Sequence, residues 1–306
     1  EYRVGSFMGY NFCVNADFRN CISLATLSFT NSSENGAFMA VDNYSKIYLE
    51  NCKNLKSVTL SSSECEIGSY AFNNCSNLAT VNNIELVKDF NDYVFANTSL
   101  VSLDLNNVNI KEGAFSGINT LTSVSVKANK LASYAFNNCS NLTSLTLDCA
   151  EIGAYAFAGC KKLETVVFNN VESIDEGAFR NCANIKVIES ETVSYVGPYA
   201  FADCVNLVTL NINNVKEIGD YAFATTTEKT ANSLTALTFG DELEVVGNYA
   251  FYGSLNIVDV TIGNGLKEIG SYAFATCRSL ETINVGAKLE VISECSFAED
   301  DALKAV

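Results

Sequence analysis

Phenylalanine recurs along the chain at Phe72, Phe95, Phe115, Phe136, Phe157, Phe179, Phe201, Phe223, Phe251, Phe274 and Phe297, at a nearly constant spacing and in a nearly constant frame of other residues. A fixed period between about 20 and 50 residues marks a chain built from stacked units, each of which buries its apolar face only against its neighbours. The period predicts a repeat solenoid of about 22–23 residues per turn.

The frame is clearest between Glu151 and Phe168. Apolar residues lie five positions before Phe157 (Ile152), six after it (Leu163) and nine after it (Val166), with another two residues on (Phe168). The next unit fills these places with Ile174, Ile185 and Ile188, and the one after it with Val196, Leu207, Leu210 and Ile212. The last pair of each unit alternates with period two, which reads as a short strand with one face inward. A lone unit would lose on the order of 20–40 kcal/mol of conformational entropy on ordering. Five or six apolar side chains at about 1.5–3 kcal/mol each do not offset that. The units are therefore expected to fold together.

Towards the start the pattern loosens. Phe18, Cys21, Leu24, Leu27 and Phe29 form one unit, and Leu49, Cys52, Leu55, Val58 and Leu60 form another with leucine in the phenylalanine place. Residues 1–17 read as an irregular start, 39–48 as a degenerate turn or insertion, and 225–233 as a loop insertion that displaces Leu234 by five residues. No Pro-, Gly- or Ser-rich linker interrupts the array, and the only proline, Pro198, lies inside a repeat. Residues 1–306 are accordingly expected to form one solenoid domain.

With 35 acidic against 19 basic residues the net charge is −16, which argues against nucleic acid or an anionic membrane surface as partner. No apolar run approaches the roughly 20 residues needed to span a bilayer, so direct membrane insertion is not expected. The chain carries no recognisable signal peptide and starts at Glu1, so export would rest on a leader already removed. Histidine is absent, and with it the commonest general base and metal ligand. Asp and Glu are scattered, and no phosphate loop, calcium loop or nucleophile elbow is readable. No catalytic, cofactor-binding or metal-binding residue is assigned.

Eight of the 12 cysteines share one frame position, three after the phenylalanine site: Cys21, Cys52, Cys75, Cys139, Cys160, Cys182, Cys204 and Cys277. Neighbours a full repeat apart with no histidine do not make a zinc site, and stacked rungs would hold their Cβ vectors parallel, against disulfide geometry. The expected role is a small buried residue whose thiol donates weakly to a turn carbonyl. Cys13, Cys65, Cys149 and Cys295 lie off this ladder and receive no role.

Two surfaces could carry recognition. Tyrosines two residues before the phenylalanines (Tyr70, Tyr93, Tyr134, Tyr155, Tyr199, Tyr221, Tyr249, Tyr272) form either an outer stripe for carbohydrate or protein, or rings packed between rungs with wet hydroxyls. The outward strand positions are hydroxyls and amides, among them Ser102, Asp104 and Asn106, then Ser144, Thr146 and Asp148, then Thr209, Asn211 and Asn213. The last two groups, Ser144, Thr146, Asp148, Thr209, Asn211 and Asn213, are the candidate binding face, expected to present aligned polar groups on adjacent rungs. A solvated polar face without a ligand is the competing reading.

The phrase Ile-Gly-x-Tyr-Ala-Phe-x-x-Cys-x-x-Leu-x-x-Leu or Val, in Ile152 to Val166, Val196 to Leu210 and Ile269 to Ile283, resembles the BspA-type leucine-rich repeat of bacterial and protist surface proteins. The resemblance runs from about Phe18 onward. It departs where the Ile-Pro common after the family's strand is nearly missing, and where Thr98 and Ser254 replace cysteine. It implies a right-handed solenoid with a parallel β-sheet on the concave face, and an extracellular or surface-displayed adhesin-like role. The resulting expectation is a non-enzymatic recognition module that binds protein or glycan through that face. The alternatives are a structural spacer displaying another domain and, last, a carboxylate-dependent enzyme.

Overall fold

The computed structural model describes residues 16–17, 19–20, 26–28, 47–60, 67–101, 103–226 and 232–304. Several sequence readings, including those on Cys13, Phe18, Cys21, 39–46, Cys65, Ser102 and 227–231, fall outside the described residues.

The fold is a parallel-strand β-solenoid of about ten turns, and each turn carries two strands rather than one. The expected strand is present, as in Ser144–Asp148, where Leu145 and Leu147 are buried between more exposed Ser144, Thr146 and Asp148. The second strand has two residues, as in Glu151–Ile152, with the apolar residue inward. These dipeptide strands form one continuous ten-stranded parallel ladder from Asp89–Phe90 to Val291–Ile292. Two residues are too few for alternation to register, so the sequence shows only an apolar position there. The longer strands pair in separate segments, one of four strands running from Asp104–Asn106 to Thr165–Asn169. The only helix among the described residues is the 3₁₀ turn Ile84–Leu86.

Register is in phase, so like residues stack. Leu145 pairs with Val124 and Val166, and Ile152 with Leu131 and Ile174. Consecutive phenylalanine rings from Phe72 to Phe297 stack near-parallel, with centroids 5.2 Å apart at Phe115–Phe136 and 5.3 Å at Phe157–Phe179. That spacing follows from the separation of about 4.8 Å between hydrogen-bonded strands. A buried Phe contributes about 1.5–3 kcal/mol, and ring stacking adds about 0.5–1.5 kcal/mol.

Between the two strands the chain turns around each phenylalanine by a repeated backbone device. The residues two before and two after it have positive φ: Tyr134 (59°) and Asn138 (58°), Tyr155 (56°) and Gly159 (76°), Tyr199 (55°) and Asp203 (62°). Each is the third residue of a β-turn, as in Ala156 N–H to Gly153 O and Cys160 N–H to Phe157 O, which is where a type II turn requires positive φ. Alternate amides then donate to the next turn: Tyr155 to Glu176, Phe157 to Ala178 and Gly159 to Arg180, each at 2.8 Å. Asn, Asp and Gly suit the left-handed region, whereas tyrosine there costs about 1–2 kcal/mol. The cost is borne at nearly every rung, so this strain belongs to the scaffold rather than to a site.

The described ladder cysteines, from Cys52 to Cys277, are buried, and thiols among them reach back to the carbonyl of the preceding turn. Cys139 donates to Phe115 O at 3.3 Å, Cys160 to Phe136 O at 3.4 Å, and Cys182 to Phe157 O at 3.1 Å. Burial pushes the Cys75 thiol up to about 12 and raises Cys182 well above the ordinary thiol range. At two of the positions without cysteine, Thr98 turns its hydroxyl to Phe95 O in its own turn, and Ser254 accepts from Asn232 Nδ2 at 2.7 Å.

At the edges of the two expected insertions, Ala16–Asp17 pairs with Ile47–Tyr48, and Thr225 and Asn232 are buried, Thr225 Oγ1 donating to Gly253 O at 2.8 Å.

In the last turn Asp300 occupies the cysteine position. Both its carboxylate oxygens are buried without a partner in full hydrogen-bond geometry. Burial raises its pKa to about 7, with the Cys277 amide pulling it down in part and the Asp301 charge adding a smaller push upward. The folded pKa lies above the unfolded one, so the native state is favoured below about pH 4 and this contribution is lost as pH rises through about 7. In thermal melts Asp300→Cys should gain on the parent chain progressively between those limits and hold a constant advantage above them. A difference independent of pH would show that Asp300 does not titrate in this way.

Candidate functional site

The six candidate residues fall into two groups. Ser144, Thr146 and Asp148 project from one strand, Thr209 and Asn211 from strand Thr209–Asn211, and Asn213 follows in the corner after it. The expectation that adjacent rungs carry these groups is wrong, because strands Thr165–Asn169 and Val187–Glu189 lie between them. Three rung spacings separate the halves by roughly 14 Å. The repeat frame itself carries these two rungs, because the units with Val166 and Ile188 stand between Leu145 and Leu210 along the chain.

Those intervening residues change the character of the face. Val167 and Val187 are 43% and 41% exposed, and Val208, beside the next strand, is 51% exposed. Glu189 accepts from Asn211 Nδ2 at 3.0 Å. The face therefore reads as hydroxyls, then exposed valines and a carboxylate, then amides. Asp148 stands apart at the strand end. It accepts from Asn170 Nδ2 at 2.8 Å and lies 3.4 Å from Lys127 Nζ, and these two contacts, the amide first, hold its pKa below the usual carboxylate range.

The tyrosine stripe is built as stacks along the solenoid axis. Tyr199, Tyr221, Tyr249 and Tyr272 lie face to face at 4.7, 4.6 and 4.8 Å, and Arg180 covers the outer face of Tyr199 at 5.2 Å. Within this stack the ring faces are occupied by other rings or by Arg180, whereas Tyr70 and Tyr134 at the ends of shorter pairs are 46% and 37% exposed. Where the stack breaks, glycine takes the left-handed position. A Cβ on Gly113 would lie 2.3 Å from Tyr93 Cε1, and one on Gly177 2.4 Å from Tyr155 Cε1. The residue before each glycine is a glutamate that receives the tyrosine hydroxyl, Tyr93 to Glu112 at 3.0 Å and Tyr155 to Glu176. The repeated phrase Glu-Gly-Ala-Phe is the signal for this pairing.

Among the described residues no group of three His, Cys, Asp or Glu side chains is arranged to hold a metal ion, and no helix is long and apolar enough to cross a membrane.

A stack of short parallel strands, apolar ladders and polar corners defines a leucine-rich-repeat type of solenoid. A profile of the BspA type leucine-rich repeat region, six copies long, matches residues 14–122, 43–149, 108–229 and 228–306, and the chain belongs to that family. Among solved structures, a leucine-rich repeat protein from Bacteroides ovatus is similar, with TM-score 0.62 and 20% identity over 100% of this chain and 82% of that one. One from Eubacterium ventriosum has TM-score 0.54 and 20% identity over 84% of this chain and 81% of that one. A leucine-rich cell surface protein from Faecalibacterium prausnitzii gives TM-score 0.39 and 19% identity over 87% and 92%. No curated protein matches.

The glutamate contacts give a spectroscopic test. Tyr93 is pushed up to about 12 by burial and then by the Glu112 carboxylate, and Tyr155 to about 12 by Glu176 and then by burial. In a tyrosinate titration followed by ultraviolet absorbance, Glu112→Gln with Glu176→Gln should move the last-ionising portion of the curve to lower pH. An unchanged curve would show that the hydroxyls do not face those carboxylates.

Proposed function

We propose that the chain is a non-enzymatic recognition module, displayed outside the cell, that binds a protein partner through the outward face of its longer strands. The family is one of leucine-rich repeat surface proteins, and such repeats generally mediate protein interactions. The observation that carries the choice of face is its mixed surface. The exposed Val167 and Val187 lie between Ser144 and Thr146 on one side and Thr209 and Asn211 on the other. An apolar centre with a hydrogen-bonding rim is the composition of a protein contact, and paired strands hold it rigid at little entropic cost on binding. A surplus of acidic residues, 35 against 19, steers basic partners towards the molecule.

The test uses the whole chain, immobilised and exposed to a panel of extracellular-matrix and cell-surface proteins. Thr146→Arg with Asn211→Arg adds bulk and charge on both flanks of the valines without touching the buried ladders. Binding to a partner found in the panel should fall at least about tenfold. Stability should change by no more than about 0.5 kcal/mol, as for ordinary surface substitutions. Undiminished binding would remove this face from the contact, and an array that binds nothing across the panel would favour the spacer.

A further inference from the structure

The repeats are not of equal length, and between Phe95 and Phe179 most of the shortening falls in one corner. The four successive intervals that lead from Phe95 through Phe115, Phe136 and Phe157 to Phe179 are each shorter than the interval from Phe72 to Phe95. The shortening lies in the corner between the longer strand and the dipeptide strand. That corner is two residues long at 107–108, 128–129 and 149–150, and three at 170–172. It is six residues at 83–88 on one side; on the other, Ser173 follows the inward Val166 by seven positions, as Tyr195 follows Ile188, against six from Leu145 to Glu151. The short corners at 107–108, 128–129 and 149–150 leave a notch, and a groove of about 550 Å³ lies there, its lining reaching Asn170 and Glu172. Its volume is within the range of about 300–1,000 Å³ typical of small-molecule sites.

We propose that this groove is a binding site for a neutral saccharide, separate from the protein-contact face. The floor is small and apolar: Val108 and Cys149 are buried, and Ala128 and Ala150 are half-buried. Burial pushes the Cys149 thiol up to about 11, so at neutral pH it presents an uncharged floor. The rim is made of planar groups. Asn107 and Asn129 are exposed along it, and each side-chain amide offers a donor and an acceptor on one plane. Asp148 is held in a fixed orientation by Asn170 and Lys127, and Glu172 adds a second carboxylate. Planar amide and carboxylate edges match the vicinal hydroxyls of a sugar, while an alanine and valine floor accepts its C–H face.

The same chemistry excludes other occupants. One lysine against two carboxylates leaves the groove mildly acidic, which disfavours phosphate, sulfate or acidic sugars. Large apolar or aromatic side chains are missing from the lining, so a lipid or aromatic ligand finds little area to bury. An extended peptide needs an open strand edge, but strands Ser123–Lys127 and Ser144–Asp148 are paired on both sides.

The experiment titrates the whole chain with a panel of neutral oligosaccharides built from glucose, galactose, mannose and N-acetylglucosamine, read by calorimetry and by amide chemical shifts. Expected is saturable binding of at least one of them, with shifts concentrated at 107–109, 128–129 and 149–150. Asn129→Ala, a surface change, should weaken binding at least fivefold, and Ala128→Trp, which fills the floor, should abolish it. Thr146→Arg with Asn211→Arg should leave saccharide binding intact, so that failure of the protein-contact reading and failure of this one are distinguishable. Should Ala128→Trp fail to fold, Asn129→Ala alone decides. The proposal is overturned if no saccharide binds, if binding is indifferent to Asn129→Ala, if only anionic sugars bind, or if a peptide library yields a groove-dependent ligand where the saccharides yield none.

Discussion

Everything in this molecule depends on the backbone hydrogen bonds that the arc around each phenylalanine donates to the following turn. The amides of Tyr155, Phe157 and Gly159 can reach Glu176, Ala178 and Arg180 only because the residues two before and two after the phenylalanine take left-handed backbone conformations. Once those bonds fix the rung spacing, the side chains have little choice. Phenylalanine rings stack, and the position three later sits buried under the arc, where cysteine reaches a carbonyl of the turn before and Ile118 fills the space without a donor. Gly153 must lack a side chain, because a Cβ there would lie 2.7 Å from Leu131 O.

This explains why a residue as reactive as cysteine repeats without forming a chemical site. Each thiol supplies a weak donor to an otherwise partly satisfied carbonyl and fills a volume that serine fills less well and valine fills without the donor. The end of the array shows the other side of the same rule. Asp300 in that place carries a charge that the site does not support, and Val291 and Ile292, in a dipeptide strand paired on one side only, are 45% and 49% exposed.

Function in such a scaffold is decided by what the ladders leave free. The two surfaces that emerge differ in origin. The strand face varies by substitution within a fixed backbone, where Thr146, Val167, Glu189 and Asn211 occupy equivalent places. The groove at 107–172 arises from shortening, because a few residues fewer in each successive corner lower the rim without disturbing either ladder. Surface ion pairs such as Lys130 with Glu151 and Lys267 with Glu244, both at 2.6 Å, link neighbouring rungs but are solvent-exposed and add little to stability.

The period, the inward apolar positions, the longer strands and the buried cysteines were all legible in the sequence, because each is a one-dimensional pattern imposed by burial at a fixed repeat. The second ladder was not, since a dipeptide such as Glu151–Ile152 is too short to show alternation. Nor was the left-handed conformation of the tyrosines, which runs against local preference and is imposed by hydrogen bonds to the following turn, a whole repeat away along the chain, as from Tyr155 to Glu176. Asp148 was singled out as part of a strand face. The repeat count already sets Thr209 and Asn211 three rungs away, but only the stacked structure places Asp148 at a groove edge with Lys127 and Asn170, because side-chain contacts across a corner depend on how neighbouring turns pair.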